Sequence, residues 1–161
     1  DDHNQVCIEF IENPEGPIPV FDSPDPQGVP DREVAWHYRT RSVGPPPVKT
    51  KDGWLLFYHA MDKSDPGRYK LGVMLLDLND PRKILYRSNY PILEPDEWYE
   101  NDWKPGIIYA SGAVVKGDTL FIYYGGGDKH IGVAYTKLDD FINKLRKNEH
   151  VVLSTRSSKI E

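Results

Sequence analysis

Pro47-Val48-Lys49-Thr50-Lys51-Asp52-Gly53-Trp54-Leu55-Leu56-Phe57-Tyr58-His59 is matched further along the chain by Ala113-Val114-Val115-Lys116-Gly117-Asp118-Thr119-Leu120-Phe121-Ile122-Tyr123-Tyr124. In the first copy the turn signal Asp52-Gly53 opens a strand, Trp54–His59, and in the second two strands, Ile107–Lys116 and Thr119–Tyr124, flank Gly117-Asp118. The match continues outward. Lys70-Leu71-Gly72-Val73 resembles His130-Ile131-Gly132-Val133, and Lys83-Ile84-Leu85-Tyr86-Arg87-Ser88 resembles His150-Val151-Val152-Leu153-Ser154-Thr155. The period is about 60–67 residues, with the slack in loops. Four short antiparallel strands per unit at that interval describe the blade of a β-propeller. A blade buries its faces only against neighbouring blades, so a ring needs about four or more. This chain supplies two to three. The rest of the ring must come from further chain or from another subunit, a homo-oligomer included. A β-sandwich of about eight strands is the competing architecture, and it would be complete at this length.

The remaining strands follow from apolar runs between turn residues: Trp54–His59, Tyr69–Leu76, Lys83–Ser88, Ile107–Lys116, Thr119–Tyr124, His130–Tyr135 and Val151–Ser154. Asn79-Asp80-Pro81 turns the chain between two of them. Leu138, Phe141, Ile142 and Leu145 recur at helical spacing, so a short amphipathic helix is expected over Leu138–Lys147. The sequence divides into an irregular segment, 1–35, and a propeller portion, 36–161. Six of the 14 prolines fall between Asp1 and Pro30, which leaves room there for at most one strand, Val6–Ile11.

Composition narrows the function classes. The 161 residues are 28% charged and 39% hydrophobic, which suits a folded soluble protein. No apolar run approaches the roughly 20 residues of a membrane span. A net charge of −5 disfavours nucleic acid as a partner. Cys7 is the single cysteine, so neither an intrachain disulfide nor a cysteine metal cluster is available. The N-terminus has no basic and then apolar segment of the secretory type, which favours the cytoplasm over secretion.

Nucleophile-elbow, P-loop, dinucleotide and His-Glu zinc motifs are all missing from the sequence. Candidate site residues lie instead at strand ends and turns. His59 ends an apolar run; it is either a histidine satisfied by backbone or an imidazole facing an anion or a sugar hydroxyl. Asp128 follows Gly125-Gly126-Gly127; it is either a turn residue or a carboxylate accepting two sugar hydroxyls. Arg39, Arg41, Lys49 and Lys51 cluster around Gly44-Pro45-Pro46-Pro47, as a solvated basic face or as a site for phosphate. Trp98, Tyr99, Glu100 and Trp103 form an aromatic and acidic loop, suited to packing or to sugar stacking.

Five stretches, in order, resemble the signature of glycoside hydrolase family 130. They are Val43–Thr50, Gly53–His59, Leu75–Pro81, Pro91–Pro95 followed by Tyr99-Glu100, and Tyr123–Asp128. The resemblance covers roughly residues 36–146. It implies a five-bladed propeller with a central sugar site, and inverting cleavage of short β-mannosides. The attacking group is phosphate in most members, giving mannose 1-phosphate, and water in some; no metal or organic cofactor is implied. It further implies His59 as a phosphate ligand, Asp128 as a ligand of mannosyl hydroxyls, and Tyr99 and Glu100 as lining of the funnel. Where the family carries a phosphate-binding lysine before Gly-Pro-Pro-Pro, this chain has Thr40, flanked by Arg39 and Arg41. A small shift would bring either guanidinium to the phosphate. No counterpart of the family's catalytic aspartate is found, so the general acid is expected outside this chain. The same gap leaves open a non-catalytic propeller module that binds carbohydrate or protein.

Overall fold

The computed structural model describes residues 11, 13, 15, 16, 35–151 and 153–157. Of the strand expected over Val6–Ile11, all but the last residue lies outside them. The described residues fold into two antiparallel sheets, one short α-helix and two single-turn 3-10 helices, Ala35–His37 and Trp98–Glu100. The first sheet holds β1 (Arg39–Val43), β2 (Val48–Thr50), β3 (Gly53–Met61), β4 (Tyr69–Leu76) and β5 (Ile84–Arg87). Its order is β1-β3-β4-β5, with β2 continuing beside β3 along the same edge. The second sheet holds β6 (Ile108–Lys116), β7 (Thr119–Gly126), β8 (His130–Lys137) and β9 (Ser154–Ser157), in that order. From β3 onward the strands of the first sheet, and all four of the second, pair in chain order.

The repeat seen in the sequence has a structural register. Tyr58 pairs with Gly72 across β3 and β4, and Tyr124 pairs with Gly132 across β7 and β8. Each tyrosine ring fills the space a side chain on its glycine would occupy. A Cβ on Gly72 would lie 2.5 Å from Tyr58 Cζ, and one on Gly132 would lie 2.6 Å from Tyr124 Cζ. Counted from these tyrosines, Asp128 matches Asp62, while His59 matches Gly125.

Burial explains the two strand patterns. Leu55, Phe57, Leu71, Val73 and Leu75 on one face of the first sheet pack with Leu120, Ile122, Tyr124 and Ala134 of the second. The opposite face, with Leu56, Tyr58, Ala60, Met74 and Leu76, is covered by Trp36. β3 is therefore apolar on both sides and reads as a continuous run. β7 alternates, because the second sheet buries one face only. Its other face is nevertheless apolar. Val114, Phe121 and Tyr135 form one cross-strand row and Tyr123 and Val133 another, with Ile131 beyond them 69% exposed. An open groove of about 640 Å³ runs along Phe121, Val133, Tyr135 and Arg156.

The helix α1 (Leu138–Arg146) follows β8 directly. Phe141, Ile142 and Leu145 enter the shared core. Asp139 and Asp140 sit in its first turn and Lys144 and Arg146 in its last, each complementing the helix dipole. Asn148, at φ +54°, ends it in the left-handed conformation that asparagine tolerates. Arg146 bonds Asp52 at 2.9 Å, so the helix ties the second sheet to the β2–β3 turn of the first.

Two expectations are corrected. β1 and β2 were not foreseen, because Arg39-Thr40-Arg41-Ser42-Val43 is polar and its ladder is supplied by β3. The last strand begins at Ser154 rather than Val151, because Val151 and Leu153 are drawn into the core ahead of it.

Candidate functional site

β1 carries the two arginines. Between Thr40 and Ser42 its register to β3 shifts by a β-bulge, and Arg41 is the extra residue. Thr40 turns inward, and its buried hydroxyl has no hydrogen-bond partner among the described residues. Arg39 and Arg41 are exposed on either side of it. Arg41 Nε donates to the Tyr69 hydroxyl at 3.2 Å, and its guanidinium lies 5.9 Å from that ring's centre. The other two basic residues are engaged elsewhere. Lys49 covers the Trp54 ring at 5.5 Å, and Lys51 pairs with Asp139 at 3.0 Å.

His59 is fully buried, at the seam between the sheets. Its Nε2 accepts a hydrogen bond from the Ala110 backbone N–H at 2.9 Å. That nitrogen is therefore unprotonated, and the neutral ring carries its proton on Nδ1. Nδ1 lies 3.0 Å from Ser42 Oγ, so the imidazole donates to the serine. The Tyr109 ring stacks on the imidazole at 4.3 Å and is itself 44% exposed. Burial pushes the His59 pKa down to about 4. Both ring nitrogens are thus engaged within the chain.

Asp128 sits at the apex of the β7–β8 hairpin. Gly127 and Asp128 have φ of +56° and +55°, the two left-handed residues that a primed hairpin turn requires. Lys129 N–H donates back to Gly126 O at 3.1 Å. The Asp128 carboxylate is exposed and accepts from Lys104 Nζ at 2.6 Å. Tyr99 and Glu100 lie under this turn rather than on a surface. A Cβ on Gly126 would come within 3.2 Å of both side chains, so the glycine allows the close approach. Tyr124 donates to Glu100 Oε1 at 2.8 Å, which makes Tyr99 the donor in the 2.8 Å bond between the two phenols. Glu100 Oε2 accepts the Glu97 backbone N–H at 2.8 Å. Burial raises the Glu100 pKa above its ordinary value, against the Glu97 backbone N–H and the Tyr124 hydroxyl, whose hydrogen bonds lower it. Trp98 and Trp103 are exposed beside the turn, and Trp98 meets His130 edge-on at 5.3 Å.

The sequence-derived residues thus fall into two groups: Arg39, Arg41 and His59 on β1 and β3, and Tyr99, Glu100 and Asp128 around the β7–β8 turn. The start of β6 joins them. Ile107 bridges to Tyr69 and accepts from Gly127 N–H at 2.8 Å, while Tyr109 pairs with Gly125 and stacks on His59. Sequence reasoning missed Ser42, Tyr109 and Lys104. Ser42 lies opposite His59 in the ladder and could have been found had β1 been recognised. Lys104 carries no local signal. Among the described residues, no group of three or more His, Cys, Asp or Glu is placed to hold a metal ion.

The model of glycoside hydrolase family 130, described as β-1,4-mannooligosaccharide phosphorylase, matches residues 33–147. The chain belongs to this family. Two curated family 130 relatives come from Thermoanaerobacter sp. (strain X514). The chain is 46% identical over 106 residues to a 1,2-β-oligomannan phosphorylase, covering 65% of this chain and 35% of that protein. It is 45% identical over 100 residues to a β-1,2-mannobiose phosphorylase, covering 62% and 32%. The solved β-1,2-mannobiose phosphorylase of Listeria innocua, in complex with β-1,2-mannobiose, superposes with a TM-score of 0.60 at 38% identity, over 68% of this chain and 30% of that one. This family 130 chain therefore spans about a third of the length of the curated relatives it matches.

Proposed function

We propose that the complete protein is an inverting phosphorylase of short β-mannosides, and that residues 36–161 form a contiguous portion of its five-bladed propeller. The two sheets have the connectivity of successive blades. The apolar outer face of the second sheet is where a further blade, from the rest of the chain or from another subunit, would pack. A phosphate-consuming reaction suits the cytoplasm over secretion. β-1,2-linked mannosides are the preferred substrates on this reading, because the relatives at 46% and 45% identity are named for that linkage.

The observation that carries the reading is the pair of exposed guanidiniums, Arg39 and Arg41, beside the seam that leads to Asp128. In a single inverting displacement the attacking group needs room opposite the general acid. Attacking water needs a carboxylate base there, whereas attacking phosphate needs positive charge. Arg39, Arg41 and the His59 region would hold phosphate while one of its oxygens bonds the anomeric carbon. The glycosidic C–O bond breaks as that bond forms. The leaving oxygen takes its proton from an acid outside this chain, and mannose 1-phosphate results. Asp128 would accept hydroxyls of the mannosyl unit. Tyr99 and Glu100 would serve from beneath, by holding the turn that aims Asp128. No metal or organic cofactor enters this scheme.

The test is release of mannose 1-phosphate from β-1,2-mannobiose by the full-length protein. Mannose released at the same rate without phosphate would instead identify a hydrolase. Asp128→Asn tests the sugar contact. Asparagine tolerates the left-handed backbone, and the exposed Lys104 pair contributes little to stability. The expected result is a fall in kcat/KM of about tenfold or more with stability changed by less than about 0.5 kcal/mol. Unchanged kcat/KM would remove Asp128 from the site.

A further inference from the structure

We propose that His59 is a positioning residue that acts on the phosphate through Ser42, and that the Ser42 hydroxyl is the group donating to the anion. The inference rests on the phosphorylase reading and assigns a residue within it. Its basis is the direction of the hydrogen bonds. Ala110 N–H occupies Nε2, so the single imidazole proton points from Nδ1 to Ser42 Oγ. The ring cannot swing out to meet a ligand. Tyr109 stacks on it, and the backbone of Gly44 closes against Cε1, where even an added Cβ would stand at only 3.3 Å. Ser42 Oγ has accepted one bond and keeps its own proton to donate. Its side chain is only half-buried, and it follows Arg41 at the bulge. A hydroxyl whose lone pair is occupied by a fixed donor has its proton turned away from that donor. Ser42 lies half-buried on the strand that presents the two exposed arginines.

Three variants of the full-length enzyme separate this role from direct contact, with KM for phosphate and for β-mannoside measured apart. Ser42→Ala removes the donor, and phosphate KM rises about tenfold while the mannoside KM holds. His59→Asn places an amide N–H near the position of Nδ1. Phosphate KM then stays within about threefold of wild type, while the unfolding midpoint falls because the Ala110 N–H is left unpaired. His59→Gln reaches the position of Nε2 instead. It keeps an acceptor for Ala110, loses the bond to Ser42, and raises phosphate KM as Ser42→Ala does. An unchanged phosphate KM in Ser42→Ala overturns the proposal, as does an equal rise in both His59 variants. A wild-type rate indifferent to phosphate overturns the phosphorylase reading together with this one. Failure confined to the variants overturns this one alone.

Discussion

Gly72→Ala is expected to destabilise the protein by roughly 3 kcal/mol, close to the upper end for overpacking a core by one methyl group. The new Cβ would stand 2.5 Å from both Trp36 Cη2 and Tyr58 Cζ. Neither ring can retreat. Tyr58 is fully buried, and its hydroxyl is held by His37 Nδ1 at 3.1 Å and Arg87 Nε at 3.0 Å. Trp36 caps the same face and lies against Tyr58 at 6.0 Å between ring centres. Gly132→Ala meets the matching obstacle in the second sheet, where Tyr124 is held by Tyr99 and Glu100. Gly67→Ala is the control. Its Cβ would meet nothing closer than 4.0 Å, and its effect should stay within about 0.5 kcal/mol. Urea midpoints of the three variants check the ranking. Equal shifts at Gly72 and Gly67 would refute the account of the Tyr–Gly pairs.

Acid is expected to cost the fold about 3 kcal/mol through His59 alone. Burial lowers its folded pKa to about 4 from an ordinary 6.5. Between those values the unfolded chain binds a proton at this site and the folded chain does not, so stability falls as the pH drops from about 6.5 to 4. Below that window both states are protonated and this contribution is gone. Unfolding midpoints of wild type and His59→Gln, measured from pH 7 to pH 4, should converge as the pH falls. A difference independent of pH would show that His59 does not titrate in this way. Glu100 has the opposite sign. Its folded pKa is raised, so the stability it contributes is present at low pH and lost as the pH rises through that folded value. Glu100→Gln, a fixed neutral amide, removes that dependence while keeping an oxygen for the Tyr124 hydroxyl.

The strands legible in the sequence are those whose pattern is set by their own burial. β3, with Leu55, Leu56, Phe57 and Tyr58 apolar on both faces, and the helix, with Phe141, Ile142 and Leu145, needed no partner to be recognised. β1 was silent because its residues serve a surface. Arg39 and Arg41 face outward, and the bulge at Arg41 has no local signature. The site was legible as residue types and not as directions. His59 stood out at the end of its apolar run, but its state is fixed by an amide 51 residues away, at Ala110. Tyr99 and Glu100 read as lining for a funnel, whereas Tyr124 and the close approach of Gly126 draw them under the turn. Asp128 is different: three glycines before a carboxylate announce a tight turn, and that turn is where it stands.

Because each sheet is assembled from an unbroken run of chain, the order of synthesis becomes an order of risk. Hairpins between successive strands close over short loops, and such pairing is fast. The ladder from β1 to β5 can therefore form while β6 is still being translated. Its inner face, with Leu55, Phe57, Leu71, Val73 and Leu75, then stays wet until β7 and β8 arrive. During that interval a nascent chain exposes a ready-made adhesive surface. Slowing synthesis between Arg87 and Ile108 would lengthen the exposure, and a chaperone that covers apolar sheet faces would matter most there.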